Sequence, residues 1–235
     1  MLEKQMPKVV ILLGPPGAGK GTQAEILVEE HGFFHFETSK VLEEALRTHD
    51  PDASIEVSGK RYRFGDEKKL FDKGKLLTPA VVAHFVEKKI RQLANEGKTV
   101  VFSGSPRTIF EAQAYLPIFR ELFGQEFLCV VHLVLPPEAS IHRNSHRRIC
   151  SQCRYPVPYF TETEGWTRCP KCAGELVRRG VLDTPDVIRV RLQEYAERTL
   201  PIVEYFKEER LLVHEVDGDA SIETVAHRIA QALLS

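Results

Sequence analysis

The clearest chemical signal in this sequence is a glycine-rich segment, GPPGAGKGT. Its glycines let several backbone N–H groups converge in one turn, and Lys20 adds a positive charge there. The segment follows the apolar run Val9–Leu13 and precedes a helical pattern that begins at Lys20. A strand, a glycine-rich loop and a helix in this order predict a phosphate-binding loop, or P-loop, at Gly14–Thr22, with Lys20 reaching the β- and γ-phosphates. The candidate ligands of a polyphosphate are Gly14, Gly17, Ala18, Gly19, Lys20, Gly21 and Thr22.

Four of the five cysteines form two Cys-x-x-Cys pairs, Cys150 with Cys153 and Cys169 with Cys172. Four thiolates suit a closed tetrahedral zinc site, which leaves no open position for water and is therefore structural. We expect the ion to hold a small β-ribbon that lacks a core of its own. The alternatives are four reduced surface thiols, or a zinc ribbon that binds nucleic acid, which the few basic residues nearby disfavour.

The composition is that of an ordinary globular protein. Of the 235 residues, 43% are hydrophobic and 28% are charged, and the formal net charge is −1. Proteins that bind nucleic acid or anionic lipid are usually more basic. No apolar run reaches the about 18 residues of a transmembrane helix, and the first residues lack the apolar region of a secretion signal. We expect a cytoplasmic monomer that binds neither nucleic acid nor membranes.

Short apolar runs alternate with helical patterns along the chain. The runs that predict strands are Val9–Leu13, Phe33–Glu37, Thr99–Gly104, Phe127–Leu135 and Leu211–Val216. The predicted helices are Lys20–Glu30, Ser39–Arg47 with Ser39 as a cap, Asp66–Lys73, Val81–Asn95, Ile109–Phe123, Glu138–Arg148, Pro185–Glu208 and Ile222–Leu233. Residues 49–65 have no clear period and are interpreted as a loop or small insert. The alternation predicts an α/β fold with a five-stranded parallel sheet flanked by helices.

Several segments resemble the adenylate kinase family. They are GPPGAGKGTQAE, GKLLTPAVVAHFVEKKI at Gly74–Ile90, GSPRT at Gly104–Thr108 and RLQEYAERTLPIVEYF at Arg191–Phe206. The resemblance covers most of Lys8–Gly218 and is weakest over Phe34–Gly65. It implies the P-loop nucleoside monophosphate kinase fold, with Val9–Leu13 central in the sheet and a zinc-bearing lid insertion of the long bacterial type. It also implies phosphoryl transfer from ATP to a nucleoside monophosphate, with Mg²⁺.

The same resemblance divides the chain into three parts. The core comprises residues 1–37, 67–148 and 180–235. Residues 38–66 form an insert that binds the monophosphate, and residues 149–179 form the zinc lid. Closure of the lid is expected to bring arginines onto ATP and to expel water from the site.

Arginine suits phosphoryl transfer because its planar guanidinium contacts charged phosphate oxygens in a bidentate manner. By resemblance, Arg143, Arg147 and Arg191 face the phosphates and Arg107 holds the acceptor phosphate, while Arg179 lies one position from a further lid arginine. The implied catalytic set is Lys20, Arg107, Arg143, Arg147, Arg179 and Arg191. Arg143 and Arg147 join the loop in binding ATP. The implied acceptor set is Thr38, Gly104, Arg107, Glu111 and Arg191.

Three residues depart from the family pattern. Ser103 replaces an aspartate that holds Mg²⁺ through its waters, Glu43 replaces an arginine that binds the acceptor phosphate, and Glu111 replaces a glutamine that reads the acceptor adenine. Glu43 would repel a phosphate, and Glu111 can only accept hydrogen bonds, which suits guanine better than adenine. Lys40 and Gln113 are the nearest candidates to compensate. We predict that ATP binds and that AMP is a poorer acceptor than in ordinary family members.

Three functions are consistent with these residues. The first is ATP:AMP phosphoryl transfer, which the intact P-loop and the arginine set favour. The second is the same reaction with a guanine or pyrimidine monophosphate as acceptor. The third is a catalytically weak, ATP-binding regulatory protein of the same fold, which the coincidence of Ser103, Glu43 and Glu111 favours.

Overall fold

The computed structural model describes residues 6–72, 77–160, 163–178 and 180–235. Its strands are β1 Val9–Leu13, β2 Phe34–Phe36, β3 Ser54–Val57, β4 Lys60–Arg63, β5 Val100–Phe102, β6 Leu128–Val134, β7 Arg148–Cys150, β8 Pro156–Val157, β9 Leu176–Arg178 and β10 Leu212–Asp217. Its helices are α1 Lys20–His31, α2 Thr38–Thr48, α3 Phe64–Asp72, α4 Pro79–Asn95, α5 Ile109–Phe123, α6 Pro137–His146, α7 Pro185–Glu194, α8 Pro201–Glu208 and α9 Ile222–Leu234.

Five parallel strands form the central sheet in the order β10–β6–β1–β5–β2. All five residues of β1 are buried, because helices cover both faces of a parallel sheet. Alternate residues of β1 pack against α4, α5 and α8 on one face and against α1 and α9 on the other. The predicted parallel sheet and the central position of Val9–Leu13 are confirmed. The carboxyl ends of the strands share one edge, so the loops that follow β1, β2 and β5 meet there.

Residues 49–65, which showed no periodic hydrophobic pattern, contain a β-hairpin. Strands β3 and β4 pair antiparallel, with Ser54 opposite Arg63, across a turn in which Ser58 and Gly59 have positive φ. The strands are short and mostly exposed, so they carry too few apolar residues for a recognisable alternation.

The predicted cap of α2 is wrong. Ser39 was expected to cap the helix, but the helix begins at Thr38, after Glu37, which makes no side-chain capping bond.

The helix predicted over Pro185–Glu208 is broken into α7 and α8. A π-helical turn at Tyr195–Thr199 separates them, and Pro201 starts α8 because proline cannot donate to the preceding turn. The helix predicted to end at Arg148 stops at His146, because Arg148 begins β7. Within the described ranges, no helix combines the length and the apolar character needed to cross a bilayer.

The cysteine segment forms a second, small sheet. Strand β7 pairs antiparallel with β8 on one side and with β9 on the other. Apart from Cys150, the buried apolar side chains of this sheet are Ile149 and Val157. Such a sheet has too little core to be stable alone, which agrees with the predicted ribbon held by a metal.

Candidate active site

A cavity of about 1380 Å³ lies at the carboxyl edge of the central sheet. It exceeds the roughly 300–1,000 Å³ usual for one small ligand, so it offers room for two. The predicted site residues that line it are Gly17, Gly19, Lys20, Gly21, Thr22, Thr38, Gly104, Arg107, Glu111, Arg143, Arg147 and Arg191. Gly14 and Ala18 belong to the loop but do not line the cavity. Arg179 lies outside the described residues, so the structure says nothing of its position.

Close packing beneath the P-loop explains two of its glycines. A Cβ on Gly14 would lie 2.6 Å from a carbonyl oxygen of β6, and a Cβ on Gly17 would collide with the side-chain amide of Asn144. Asn144 Nδ2 donates to Ser140 O at 2.8 Å, and Ser140 Oγ donates to Pro16 O at 2.6 Å. Both side chains are buried on α6. Helix α6 therefore supports the loop from behind and fixes its shape.

Lys20, the first residue of α1, is the central cation of the cavity. Its Nζ donates to two carbonyl oxygens of the P-loop, at 2.7 and 2.8 Å. Burial, followed by the positive charges of Arg107, Arg191 and Arg147, lowers the pKa of Lys20 to about 7. Four cationic side chains thus converge on one region of the cavity. A polyanion bound there would relieve their mutual repulsion.

Two of these arginines share one buried carboxylate. Arg147 binds Asp183 in a bidentate manner, with Nε to Oδ2 at 3.1 Å and Nη2 to Oδ1 at 2.6 Å. Arg191 Nη1 lies 3.6 Å from the same Oδ1. The side chain of Asp183 is 5% exposed, against 19% for Arg147 and 39% for Arg191. The carboxylate lies behind the guanidinium groups and orients both toward the cavity.

Arg143 is held between an aromatic ring and the end of β10. Its guanidinium lies 4.6 Å from the ring centre of Phe160, a cation–π contact. Nη1 donates to Gly218 O at 2.8 Å, and Nη2 donates to Asp219 Oδ1 at 3.0 Å. Phe160 belongs to the cysteine segment and lines the cavity. Arg143 therefore links that segment to the core at the mouth of the site.

Arg107, in the loop that follows β5, lines the same cavity close enough to affect the charge of Lys20, and it is exposed. Its Nε donates to Gly104 O at 2.6 Å, and its backbone N–H donates to Glu111 Oε2 at 2.6 Å. The N–H of Glu111 in turn donates to Thr108 Oγ1, the N-cap of α5, at 3.2 Å. Glu111 thus acts as a reciprocal cap at the start of α5, with one carboxylate oxygen committed to the backbone.

The remaining acceptor-side residues divide between cavity and solvent. Thr38 lines the cavity, and its buried Oγ1 has no hydrogen-bond partner among the described residues. Glu43 and Gln113 are exposed and do not line the cavity, so the expected repulsion by Glu43 and compensation by Gln113 find no support. Lys40, whose side chain is 74% exposed, pairs with Glu37 and also lies outside the lining.

Ser103 follows β5 and lines the cavity beside the P-loop. Its Oγ lies 2.6 Å from Nε2 of His35 on β2. Burial is the main cause that lowers the pKa of His35, against the opposing charges of Glu37 and Glu25. Ser103 therefore has a neutral partner, and the end of β5 contributes no charge to the cavity.

The four cysteine sulfurs form one cluster, within 4.8 Å of one another. The Sγ atoms of Cys150 and Cys172 are 3.5 Å apart, and those of Cys153 and Cys169 are 3.6 Å apart. Two backbone N–H groups donate to Cys150 Sγ and one to Cys169 Sγ, each at 3.4 Å. Four sulfurs at this spacing, supported by amide donors, fit the tetrahedral coordination of zinc.

Comparison with known proteins shows which family has this arrangement of sequence. A sequence model described as adenylate kinase matches residues 12–211. This chain belongs to the adenylate kinase family. The resemblance stated from the sequence is therefore confirmed, together with the fold that it implied and the nucleoside monophosphate kinase class.

Individual relatives align over nearly the full length. An adenylate kinase of Archaeoglobus fulgidus is 34% identical over 226 residues, which cover 95% of this chain and 97% of that protein. One of Carboxydothermus hydrogenoformans is 34% identical over 227 residues, with 95% and 98% covered. One of Geotalea daltonii is 32% identical over 225 residues, again with 95% and 98% covered. The match extends through the core and the cysteine segment alike.

Several residues that support or line the site were not predicted from the sequence. Ser140 and Asn144 lie in a helix without a distinctive pattern, and nothing in the sequence points to their contact with the loop. Asp183 had a weak signal, since it directly precedes the Thr-Pro start of α7, the helix that contains Arg191. Arg154, in the cysteine segment, adds a further exposed cation to the lining.

Proposed function

We propose that this chain transfers the terminal phosphoryl group of ATP to AMP, giving two molecules of ADP. The convergence of Lys20 with Arg107, Arg147 and Arg191 in a cavity large enough for two nucleotides carries the proposal. The adenylate kinase relatives support AMP as the acceptor, and no comparison favours another monophosphate. An oxygen of the AMP phosphate attacks the γ-phosphorus, and the bond from that phosphorus to the β–γ bridging oxygen breaks.

The ATP end of the cavity is the P-loop. Its N–H groups, at the start of α1, bind the phosphates of ATP, and Lys20 contacts the β- and γ-phosphates. Transfer spreads negative charge over the oxygens of the moving group. Fixed positive groups stabilise that charge without reorganising during the reaction, and the support from α6 keeps them fixed.

The arginines retain donors for phosphate while they bind their protein partners. A guanidinium has five N–H donors, and Asp183 uses Nε and Nη2 of Arg147. The Nη1 donors of Arg147 therefore remain for a phosphate oxygen. Arg143 and Arg191 line the same cavity and are proposed to contact the phosphates as well. Arg179 is proposed on sequence position alone.

The acceptor site is built around Arg107. Its exposed guanidinium receives the AMP phosphate, with Gly104 in contact with it and Thr38 in the same cavity lining. Apolar side chains of the lining, among them Leu42, Leu77 and Val82, provide a surface for the base. One oxygen of Glu111 accepts a backbone N–H, so the carboxylate is held in place and its other oxygen is the one left to contact the base. We therefore keep the prediction that AMP binds more weakly than in family members that have glutamine there.

The substrate is expected to be the magnesium complex of ATP. The oxygen donors beside the P-loop are the hydroxyls of Thr22 and Ser103 and the carboxylate of Glu37, all in the lining. Such a set fits Mg²⁺, which prefers oxygen ligands and keeps several waters. The bound ion would supply charge neutralisation at the β- and γ-phosphates.

We propose that the cysteine cluster holds a structural zinc and that residues 149–179 act as a lid. The lid reaches the core through Lys171, whose Nζ lies 2.8 Å from Glu29 Oε1 on α1. Removal of zinc with a chelator should unfold the segment, because the metal replaces its missing core. Loss of about one zinc per chain, with a drop in phosphoryl transfer and retained helical circular dichroism, is the expected result. Full activity after complete zinc removal would contradict it.

The remaining parts of the proposal concern assembly and location. We assign residues 1–37, 67–148 and 180–235 to the core and 38–66 to the acceptor insert. We propose a monomer, the state that the resemblance to the adenylate kinase family implies. A reducing compartment such as the cytoplasm would keep four thiols available for metal. A formal net charge of −1 disfavours a nucleic-acid partner.

A coupled assay with Mg-ATP and each nucleoside monophosphate tests the function. Turnover with AMP in the usual kinase range, roughly 1–100 per second, is expected. Faster turnover with a guanine or pyrimidine monophosphate would show that this monophosphate, and not AMP, is the acceptor. Absence of turnover with every acceptor, while ATP still binds, would identify a nucleotide-binding protein that lacks kinase activity.

A further inference from the structure

Carboxylates are scarce in the cavity wall. Among the described residues, the lining contains two, Glu37 and Glu111. Glu111 Oε2 accepts the backbone N–H of Arg107 at 2.6 Å, which ties it to the start of α5 at the acceptor end. Glu37 is the one near the P-loop, and its side chain is 34% exposed. It caps no helix N–H group, although it precedes α2.

Strand register brings Glu37 beside Ser103. Phe36 of β2 pairs with Phe102 of β5 in the parallel sheet, so the residues that follow them are neighbours across strands about 4.8 Å apart. Glu37 shares a face with His35, two residues earlier. His35 Nε2 reaches Ser103 Oγ at 2.6 Å, which identifies a common face for all three side chains.

That face is the one covered by α1. Val101, the register partner of His35, packs with Ala24 and Leu27 of α1. Helix α1 begins with the P-loop residue Lys20, and Thr22 lies in its first turn. Glu37 and Ser103 therefore border the place where the outer phosphates of a nucleoside triphosphate would lie.

We propose that Glu37 is the residue that holds the Mg²⁺ of the bound nucleoside triphosphate, acting through the ion's water ligands with Ser103 as a neutral hydrogen-bonding partner. The inference rests on the proposed function. Magnesium in such sites is bound by one or two carboxylates together with substrate phosphates. Ser103 supplies a hydroxyl without charge, and the neighbouring strand end supplies the carboxylate.

Lys40 pairs with the carboxylate of Glu37 when no metal is bound. Its Nζ forms a close ion pair with Glu37 Oε2, and its side chain is 74% exposed. Exposed ion pairs within a helix turn are weak, because water screens both charges. A divalent ion therefore displaces Lys40 at little cost, and Lys40 acts as a competitor for the site.

Calorimetry with a non-hydrolysable ATP analogue tests this, because it measures affinity with and without Mg²⁺ and does not depend on turnover. In Glu37→Gln, we expect the enhancement of affinity by Mg²⁺ to fall about tenfold or more. Affinity without metal should stay equal or rise, since a negative charge beside the phosphates is gone. Lys40→Gln should increase the enhancement, because the competing cation is removed.

A matched control and a rescue complete the design. Glu44→Gln removes an exposed carboxylate of α2 that does not line the cavity, and it should match the wild type within twofold. Adding Ser103→Asp to Glu37→Gln returns a carboxylate to the adjacent strand end and should recover most of the enhancement.

Two results would overturn the inference while leaving the proposed function intact. One is an unchanged magnesium enhancement in Glu37→Gln. The other is an equal loss of affinity with and without metal, which indicates a purely structural residue. Failure of the wild-type protein to bind the analogue under either condition would overturn the proposed function and this inference together.

Discussion

The two ends of the cavity are built in different ways. At the ATP end, the binding groups are supported from behind by buried side chains: Ser140 and Asn144 hold the P-loop, and Asp183 holds Arg147 and Arg191. At the acceptor end, Arg107 is exposed and is supported by the backbone carbonyl of Gly104. The buried supports at the ATP end strongly restrict the motion of the binding groups, whereas the single carbonyl at the acceptor end restricts the motion of Arg107 only weakly.

This difference indicates where each end contributes to the reaction. Groups that are fixed before the reaction stabilise developing charge most effectively, so changes at the ATP end should mainly reduce kcat. An exposed guanidinium with few protein partners can adapt to its ligand, so changes at the acceptor end should mainly alter acceptor binding. Of the three departures that the resemblance implies, Glu111 and Ser103 line the cavity, while Glu43 is exposed and does not.

The largest effect is expected from Lys20→Met. The substitution removes the central cation of the ATP end, and kcat should fall about 10³-fold, the upper value for a preorganised charge-stabilising group. A coupled assay at saturating substrates measures it. Lys88→Met, which removes an exposed lysine of α4, should leave kcat unchanged. A loss below tenfold in Lys20→Met would remove the contrast between the two ends.

Arg107→Ala should have the next largest effect. Loss of a charged phosphate contact costs on the order of 2–4 kcal/mol, so kcat/KM for AMP should fall about 10²-fold or more. ATP affinity, measured by calorimetry, should stay within about twofold. An equal loss of ATP affinity would mean that Arg107 serves both ends.

The pH dependence of ATP binding sharpens the description of the ATP end. In the free protein, the pKa of Lys20 is lowered to about 7, first by burial and then by neighbouring arginines. Above that pH the free protein holds Lys20 neutral, and bound phosphate favours the ammonium form, so binding takes up a proton. Above about pH 7, the affinity for ATP should therefore fall as pH rises, by up to about tenfold per pH unit.

Calorimetry in two buffers with different ionisation enthalpies measures that proton uptake directly. Lys20→Arg keeps a charge that does not titrate in this range, so it isolates the contribution of Lys20 from that of the nucleotide. Equal proton uptake by the wild type and Lys20→Arg between pH 7 and 9 would contradict the lowered pKa.

The smallest effect is expected from Glu111→Gln. The amide oxygen can still accept the backbone N–H of Arg107, but a neutral acceptor is weaker, so stability should fall by about 1 kcal/mol. The new N–H donors can pair with adenine, so KM for AMP should fall a few-fold while any guanine acceptor is disfavoured. Thermal unfolding and acceptor kinetics measure these changes. A raised KM for AMP would show that the carboxylate itself binds the acceptor.

The elements of the core were largely predictable from the sequence. Helix α5 matches its prediction at both ends, because a polar cap and a glycine bound a long amphipathic pattern. The hairpin β3–β4 was not predictable, since its strands are short and exposed. The break between α7 and α8 was also missed, because the amphipathic pattern continues through the π-helical turn.

The site divides in the same way. By itself the sequence determined the P-loop and the cysteine cluster, because their chemistry resides in residue types at short, fixed spacings. Only the tertiary structure decided that Asp183 orients Arg147, that Glu111 is bound to the backbone of Arg107, and that Glu43 faces solvent. The physical reason is that these contacts depend on side-chain direction and on how strand ends and helices meet, which no local pattern encodes.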